Sequence, residues 1–368
     1  MTEGIQRVAI NTGGGDAPGL NAVIRAAVIS GLRRGWEMVG IRDGYNGVLA
    51  PDRYPDGGVI PLDRESVRGI THLGGTILGT TNKGNPLAFP VRREDGTVEI
   101  VDRGDEIVRS LEEQGIDALI AIGGDGSLGI ANVLAQKGVR VIGVPKTIDN
   151  DLEETVVTFG YDSAVAFATE CIDRLHSTAE AHDRVMVVEV MGRYAGWIAV
   201  GAGVAATADA ILIPEIPYDL EPVAEKIMAR ERAGREFSIV VVAEGAHERD
   251  GSRSVVEKEA GRAERLGGIG ERVAEGLVEM TGKDTRVVNL GHLLRGGGPT
   301  ARDRLLALRF GAAAIQGLAR GCEGCMVALD PPDVRYVPLS RATRRIKTVP
   351  LDSDLMGTAR ELGICFGD

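Results

Sequence analysis

The chain has 368 residues, a net charge of −11 and 43% hydrophobic residues, which suits a globular protein of two domains or one large α/β unit. The negative charge argues against a nucleic-acid partner, because little basic surface is available to release the counterions of a polyanion. No run of about 18 apolar residues indicates a membrane span, and the first residues lack the apolar region of a signal peptide. We therefore expect a cytoplasmic protein without membrane contact.

Short runs of consecutive apolar residues alternate with longer segments of helical periodicity, and such runs are typical of strands buried on both faces of a parallel sheet. The predicted strands are residues 7–11, 37–41, 118–122, 140–144, 184–190, 211–214, 237–244 and 285–290. The predicted helices are residues 19–35, 103–115, 127–138 and 164–182. This alternation predicts a doubly wound α/β protein with two mostly parallel sheets.

Glycine-rich stretches follow several of these strands, at residues 11–19, 74–86, 123–127 and 292–299. Ligands of open α/β sheets bind at the carboxyl ends of the strands. One glycine at a strand end is often a simple turn, but four such stretches that also carry acids and cations indicate phosphate chemistry.

The sequence GGDGS (123–127) places Asp125 directly after a predicted strand, with a helix expected to begin at Ser127. The glycines allow backbone N–H groups to approach a polyphosphate, and the helix N-terminus adds partial positive charge. Asp125 then suits Mg²⁺, which is commonly held by one or two carboxylates together with phosphate oxygens. The alternative is an aspartate that caps the helix.

The loop TGGGDAPG (12–19) follows the first strand in the same way. It lacks both the G-x-G-x-x-G spacing of a dinucleotide fold and the G-K-[ST] ending of a P-loop. The loop is therefore a phosphate-loop candidate that neither motif explains.

The segment PKTIDND (145–151) offers a proton acceptor for phosphoryl transfer to a hydroxyl group. Asp149 and Asp151 are two residues apart, and in an extended segment they would point the same way. One could accept the proton while the other supports it. The alternative is a pair of turn-forming residues.

The four cysteines are Cys171, Cys322, Cys325 and Cys365. The C-x-x-C pair at 322–325 could be a redox pair or half of a zinc site. No second pair of ligands at suitable spacing accompanies it, and the interpretation we favour is structural.

The motifs GGDAPGLNAVIR, GGDGS, PKTIDNDL, VVEVMGRYAGW and LGHLLRGGGP, in this order, resemble the 6-phosphofructokinase family over nearly the whole chain. The resemblance implies two Rossmann-like domains, an active site in the cleft between them and a homo-oligomer, often a tetramer. A larger nucleotide-binding domain is expected at residues 1–160 and 294–344, and a smaller fructose 6-phosphate-binding domain at 161–293 and 345–368. The implied reaction is Mg²⁺-assisted transfer of a phosphoryl group from ATP to the 1-hydroxyl of fructose 6-phosphate.

The family's site residues carry over position by position. On the donor side the resemblance implies phosphate-binding roles for Gly14, Gly15, Asn82, Lys83, Gly124, Asp125, Gly126 and Ser127, with Asp125 as the Mg²⁺ residue. On the acceptor side it implies Asp149 as the base with Asp151 beside it, and substrate contacts from Thr147, Ile148, Met191, Gly192, Arg193, Glu244, His292, Leu293, Leu294 and Arg295. Arg193 also contacts the transferred phosphate. Two further arginines, Arg184 and Arg286, match residues that reach the site of a neighbouring subunit; each alone could equally be a surface ion pair.

Three positions depart from the family pattern. Many ATP-using bacterial members have arginine where Asn82 stands, so the cation here is expected at Lys83. Leu294 replaces a usual glutamine. Arg25 is present, but Ile29 stands where allosteric members have a second arginine, which puts that effector site in doubt.

Two positions bear on the phosphoryl donor. Pyrophosphate-using members share a lysine at Lys146 but carry aspartate where Gly126 stands. A carboxylate there would crowd and repel the α-phosphate of ATP, so Gly126 favours ATP, and Lys146 marks a branch of the family that contains both donor types. Pyrophosphate is the alternative donor.

Two other functional classes are weaker alternatives. Lipid and NAD kinases also have GGDG after a strand, but they lack the TIDND and MGR segments. A catalytically inactive sugar-phosphate sensor would not need Asp125, Asp149 and Arg193 together.

Overall fold

A computed structural model gives the structure of the protein and describes residues 4–82, 84–93, 95–249, 251, 255–257 and 265–368. Its strands are β1 (Arg7–Thr12), β2 (Glu37–Ile41), β3 (Val59–Pro61), β4 (Phe89–Arg92), β5 (Val98–Val101), β6 (Ala118–Gly123), β7 (Val141–Thr147), β8 (Phe159–Gly160), β9 (Val185–Val190), β10 (Ala210–Leu212), β11 (Ser238–Ala243), β12 (Val255–Glu257), β13 (Arg265–Leu266), β14 (Thr285–Asn289), β15 (Cys325–Asp330) and β16 (Asp333–Pro338).

The helices alternate with these strands. They are α1 (Leu20–Leu32), α2 (Asn46–Leu49), α3 (Gly104–Glu113), α4 (Asp125–Gln136), α5 (Tyr161–Ala181), α6 (Trp197–Ala205), α7 (Leu220–Arg232), α8 (Ile269–Thr281), α9 (Ala301–Ala319), α10 (Leu339–Ala342) and α11 (Asp354–Glu361). Short 3₁₀ turns cover Pro51–Arg53 and Gly291–Arg295. Within the described residues, no helix is both long enough and apolar enough to cross a bilayer.

The larger sheet has eight strands in the order β16-β15-β7-β6-β1-β2-β3, with β8 paired to β7. Its central strands are parallel, and β3 and β16 run antiparallel at the two edges. From β1 the chain proceeds to β2 on one side and later returns to β6 on the other. The loops after β1 and β6 therefore leave the sheet in opposite directions, which opens a crevice at their carboxyl ends.

The smaller sheet has four parallel strands in the order β10-β11-β9-β14. Val190 pairs with Ala243, so β9 and β11 end side by side. Two separate hairpins, β4–β5 and β12–β13, complete the described strands. The predicted α/β fold with two mostly parallel sheets is confirmed.

The predicted strands and helices lie within a few residues of the observed ones, because their consecutive apolar residues are buried under helices on both faces. Val8, Ile10 and Ile120, for example, are fully buried in the larger sheet. The boundaries differ by up to three residues. Helix α4, for example, begins at Asp125, two residues before the predicted start, and an acidic side chain in the first turn is favourable beside the positive end of a helix. The short strands β3, β4, β5, β8, β12, β13 and β16 were not predicted from the sequence.

The C-terminal region joins both sheets. Strand β15 pairs with β7 in the larger sheet, whereas Cys365 forms a bridge with Ala210 at the edge of the smaller one. Between them, residues 346–349 cross from one sheet to the other, and we call them the crossing segment.

Helices α1 and α9 pack closely over the larger sheet, and a glycine makes this approach possible. A Cβ atom built on Gly311 of α9 would overlap the carbonyl oxygen of Val23 and lie 2.9 Å from the Cβ of Ala26, both on α1. Neither atom is the end of a flexible side chain, so an added methyl group must push the helices apart.

We expect Gly311→Ala to destabilise the protein by about 1–3 kcal/mol, because this helix pair cannot take the extra methyl group without moving. The control is Gly357→Ala in α11, where an added Cβ meets no heavy atom within 4 Å. There the lower entropy of the unfolded chain should stabilise the protein by about 0.4–1 kcal/mol. Urea midpoints at one protein concentration measure both, and equal midpoints for Gly311→Ala and wild type would contradict the close packing.

Candidate active site

Three loops from the larger sheet converge in the crevice between β1 and β6. The loop after β1 is tied to its neighbours by hydrogen bonds from Gly13 N to Ile122 O (2.9 Å) and from Gly14 N to Thr81 O (3.1 Å). Thr80 Oγ1 donates to Gly14 O at 2.6 Å. The two predicted phosphate loops therefore lie side by side, with the 74–82 loop against them.

Glycine is required where these loops meet. A Cβ on Gly13 would lie 2.7 Å from Ser127 Oγ, and Gly14 has a φ of 78°, which a residue with a side chain rarely adopts. A Cβ on Gly14 would be 3.4 Å from Ser127 Oγ and 3.6 Å from Lys146 Nζ. The residues predicted for the phosphates are thus close together, and the partly exposed glycines of the first loop lie beside the first turn of α4.

We call the loops 11–19 and 123–127 together the phosphate cradle. Gly126 differs from the other glycines of this cradle. It is exposed in the first turn of α4, and a Cβ built there would meet no heavy atom within 4 Å. Packing therefore does not require a glycine at this position, and the open space in front of it is available to a ligand.

Lys146, near the end of β7, is 3% exposed, and its Nζ donates to Gly15 O. Burial, and then the charge of Arg295, lower the pKa of Lys146 to about 8, while Asp16, Asp149 and Asp151 act in the opposite direction. At pH 7 the ammonium group is charged and lies at the floor of the cradle.

Asp149 and Asp151 follow β7; both residues are partly exposed, but the Oδ1 atom of each is buried. Burial, and then the charge of Asp151, raise the pKa of Asp149 to about 7, and Arg295 and Arg193 oppose this rise. Burial also raises the pKa of Asp151. A carboxyl group that titrates near neutrality and faces cations can accept a proton from a hydroxyl group.

The backbone around this pair does not have the extended form that was predicted. Strand β7 ends at Thr147, and Asn150 between the two acids has a φ of 51°. The carboxyl groups nevertheless interact, since the charge of Asp151 acts on Asp149. Thr147 contacts both residues: its Oγ1 accepts a hydrogen bond from the main-chain N of Asp149 at 3.0 Å, and its side chain is hydrogen-bonded to Asp151.

Asp125 lies in the first turn of α4, after the strand β6 that pairs with β7. Burial, and then the charge of Asp151, raise its pKa. The described residues contain no cluster of three or more His, Cys, Asp or Glu side chains that could hold a metal ion. One carboxylate at a phosphate cradle fits Mg²⁺ all the same, since this ion keeps several water ligands and takes others from phosphate oxygens.

The smaller sheet supplies a second set of side chains at the carboxyl ends of β9 and β11. Glu244 N donates to Val190 O at 2.8 Å and Gly245 N to Gly192 O at 3.1 Å, so the MGR segment and Glu244 are neighbours. Burial raises the pKa of Glu244, and the charge of Arg193 then opposes it. Arg295 reaches the first loop, where its Nη1 donates to Asp16 O at 3.2 Å.

Three buried atoms in this region lack a protein partner among the described residues: Asp149 Oδ1, Asp151 Oδ1 and Arg193 Nε. Buried polar atoms are normally hydrogen-bonded, because an unpaired one costs free energy. Two acceptors and one donor directed at one crevice are what a ligand with hydroxyl and phosphate groups would satisfy.

Some of the predicted residues contribute differently from what was expected. The side chains of Ile148 and Leu294 are packed in the hydrophobic core, so the contact with a substrate that was predicted for them would come from their backbone groups. His292 and Leu293 lie exposed in the 3₁₀ turn before Arg295, and Asn82 is exposed in the 74–82 loop. Lys83 lies outside the described residues.

Arg184 and Arg286 are not part of this chain's own crevice. They lie at the amino-terminal ends of β9 and β14, away from the ends that carry Arg193 and Glu244, and both form ion pairs with Asp284 (2.6 Å from Arg184). The cysteines 322 and 325 are free thiols that pack against the core of the larger sheet.

Two residues near the acids were not singled out from the sequence. The main chain of Asp16 binds Arg295, and its place inside the glycine loop was the available signal. Lys347 faces the segment after β7 from nearly 200 residues further along the chain, and no motif marks it.

Comparisons with known proteins agree with this geometry. A family model described as "Phosphofructokinase" matches residues 7–318. A protein of Chloroflexus aurantiacus named ATP-dependent 6-phosphofructokinase is 53% identical over 363 residues, which cover 99% of this chain and 98% of the relative. A protein of Amycolatopsis methanolica named pyrophosphate–fructose 6-phosphate 1-phosphotransferase is 49% identical over 348 residues, which cover 94% and 96%.

The fold is shared with a solved structure as well. The crystal structure of Pichia pastoris phosphofructokinase in the T-state matches with a TM-score of 0.79 at 30% identity. The match covers 94% of this chain and 36% of that longer chain.

We expect Asp149→Asn to stabilise the protein at pH 8. Because the folded-state pKa of Asp149 is raised above the value of about 4 of an unfolded aspartate, the folded state binds more protons in this range, and its stability falls as the pH rises from about 4 through 7. Removing the charge should raise the melting temperature by about 2–5 °C at pH 8 and by much less at pH 5.

The control for this measurement is Asp173→Asn on the exposed face of α5, where Asp and Asn have similar helix propensities. It should change the melting temperature little at either pH. A gain for Asp149→Asn that is equal at pH 5 and pH 8 would contradict the raised pKa.

Proposed function

The chain belongs to the phosphofructokinase family, and we propose that it is an ATP-dependent 6-phosphofructokinase. It transfers the γ-phosphoryl group of ATP to the 1-hydroxyl of fructose 6-phosphate, giving ADP and fructose 1,6-bisphosphate. The observation that carries this proposal is the pair Asp149 and Asp151, with a pKa raised to about 7 at Asp149, beside a cradle of backbone N–H groups and Lys146.

Asp149 acts as the base. Its Oδ1 has no protein partner among the described residues and is free to accept the proton of the 1-hydroxyl as the oxygen attacks phosphorus. Thr147 holds the main chain of Asp149, and Asp151 raises the proton affinity of the base by like-charge repulsion. Arg295 and Arg193 limit that rise, so that Asp149 loses its proton near neutral pH and not well above it.

Positively charged side chains and backbone N–H groups from several elements surround the place of the negatively charged phosphate groups. Lys146, the N-terminus of α4 and the glycine loop serve the donor, while Arg193 serves the moving phosphoryl group. Asp125 would hold Mg²⁺, which neutralises phosphate charge when bound. Glu244 receives sugar hydroxyls, and His292 and Arg295 receive the 6-phosphate, for which an arginine fork is suited.

ATP rather than pyrophosphate is the proposed donor, because the space in front of Gly126 is open. Overall similarity does not decide the question, since relatives named for either donor are 53% and 49% identical to this chain. A carboxylate at this position would face the α-phosphate, where like charges repel. Pyrophosphate remains the alternative donor.

Two further features belong to the proposal. The chain divides into a nucleotide-binding domain of residues 1–160 and 294–344 and a sugar-phosphate-binding domain of residues 161–293 and 345–368. In a homo-oligomer, tetramer or dimer, Arg184 and Arg286 complete the site of a neighbouring copy, which their position away from this chain's own crevice supports.

We expect purified protein with Mg²⁺ and fructose 6-phosphate to turn over ATP, and Gly126→Asp to lower kcat/KM for ATP by about 100-fold or more through repulsion of the α-phosphate. A coupled assay of fructose 1,6-bisphosphate formation measures both donors. The matched control is Gly129→Asp, one turn further along α4, where an added Cβ also meets no heavy atom within 4 Å. Turnover with pyrophosphate alone would contradict the donor assignment, and turnover with neither donor would contradict the function.

We expect Asp149→Ser to lower kcat by about 10²–10⁴-fold with little change in KM for fructose 6-phosphate, because the base acts only in the transition state. In the wild type, kcat/KM should rise with pH through about 7, as Asp149 loses its proton, and fall above about 8, as Lys146 does. Rates from pH 5.5 to 9.5 measure the profile. A kcat for Asp149→Ser equal to that of the wild type would exclude Asp149 as the base.

A further inference from the structure

The segment that carries the base is unusual in its backbone. Asn150 has a φ of 51° and Glu154 a φ of 64°, so two residues with side chains adopt the left-handed conformation within five positions. Such residues cost free energy and persist only where the surroundings hold them. Asn150 is 3% exposed, and its Oδ1 accepts hydrogen bonds from Thr158 N (3.1 Å) and Lys347 Nζ (3.0 Å).

The side chain of Lys347 donates all three of its hydrogen bonds to residues 150–156. Besides Asn150 Oδ1, its Nζ donates to Thr155 O at 2.9 Å and Val156 O at 3.2 Å, which matches the three donors of an ammonium group. No carboxylate among the described residues lies within ion-pair distance of this nitrogen. The side chain therefore orders neutral oxygens of the loop and does not serve as one half of a salt bridge.

The main chain of Lys347 is fixed on both sides. Its N–H donates to Asp151 O at 2.8 Å, and its carbonyl oxygen accepts from Trp197 Nε1 at 3.0 Å. The ammonium group also lies 5.4 Å from the centre of the Trp197 ring. Trp197 begins α6, four residues after Arg193, so one lysine connects the segment of the base to the part of the smaller sheet that carries Arg193.

The rest of the crossing segment strengthens this connection. Val349 N donates to Glu215 Oε1 at 2.8 Å, and the same carboxylate accepts from Gly196 N at 3.0 Å. Leu152 and Ile346 form a β-bridge. Both ends of the contact are thus anchored, one on the segment after β7 and the other at the start of α6.

We propose that Lys347 is a positioning residue for the phosphoryl transfer. It holds residues 149–156 in the bent form that directs Asp149 into the crevice, and it keeps that base in a fixed position relative to Arg193. This inference rests on the proposed function. The attraction of Asp151 and Glu153 supports it, since these acids oppose the effect of burial, which lowers the pKa of Lys347 to about 8, and so help the ammonium form to persist at neutral pH.

The test compares Lys347→Met, which keeps the length of the side chain but removes its charge and donors, with Lys347→Arg, which keeps the charge. For Lys347→Met, we expect kcat to fall about 10- to 100-fold, because a displaced base loses alignment, while KM for both substrates stays within about threefold. Lys347→Arg should recover part of the loss. The matched control is Lys226→Met, which removes a lysine whose Nζ donates to Gly363 O at 2.7 Å on the smaller sheet's surface.

A second variant approaches the contact from its other side. Asn150→Gly keeps a residue that accepts positive φ but removes the oxygen shared by Lys347 and Thr158. Its effect on kcat should not add to that of Lys347→Met, because both changes break one contact. If Lys347→Met fails to fold, Asn150→Gly alone tests whether this contact positions Asp149. A wild-type kcat for Asn150→Gly would overturn the proposal.

Hydrogen exchange provides a readout that does not depend on turnover. Peptides covering residues 149–158 should exchange faster in Lys347→Met than in wild type and Lys226→Met. If the wild type has no activity on fructose 6-phosphate, the proposed function fails, and this comparison alone judges whether Lys347 holds the segment. Unchanged exchange, or faster exchange with a wild-type kcat in an active enzyme, would overturn the proposal.

Discussion

The burial of ionisable groups at the carboxyl end of β7 is the constraint on which the rest of the arrangement depends. Asp149, Asp151 and Lys146 lie at or just after the end of this strand, Lys347 reaches the same place from nearly 200 residues further along the chain, and all four ionisable groups are largely removed from bulk water. Burial raises the pKa of the acids and lowers that of the lysines, so in each case it favours the uncharged form of the group. Such groups remain ionised together only because each sees charges of the opposite sign.

This electrostatic balance is possible because parallel strands bring distant parts of the chain to one edge. Lys146 and the acids follow β7, the glycine loop follows β1, and Arg193 and Glu244 follow strands of the other sheet. Ends of neighbouring strands in register place these side chains close together without any local sequence relation. The crossing segment then fixes one sheet against the other, so the two halves of the site keep a defined geometry.

The sequence was sufficient for the buried parallel strands of both sheets and for the phosphate loops, but not for the short edge strands or for the details around Asp149. Buried parallel strands show consecutive apolar residues, and glycines that backbone geometry demands, such as Gly14, stand out in a motif. The bend at Asn150 could not be predicted, since its supports, Thr158 and Lys347, are distant along the chain. Family position suggested that Ile148 and Leu294 face the substrate, but core packing decides where an apolar side chain points.

The segment that carries the proposed base and the position proposed to select the donor differ strongly in how many contacts hold them. The segment that carries Asp149 is held by a hydrogen bond that Thr147 Oγ1 accepts and by others that Thr158 and Lys347 donate, so a substitution there disturbs several partners at once. Gly126 is exposed, and a Cβ added there would meet no heavy atom within 4 Å, so a carboxylate can replace it without moving the core. Under the donor assignment proposed above, a change at this one unpacked position would alter the phosphoryl donor while the residues for the acceptor stay in place. Such a change would leave overall identity almost untouched, in keeping with the 53% and 49% identity of relatives named for the two donors.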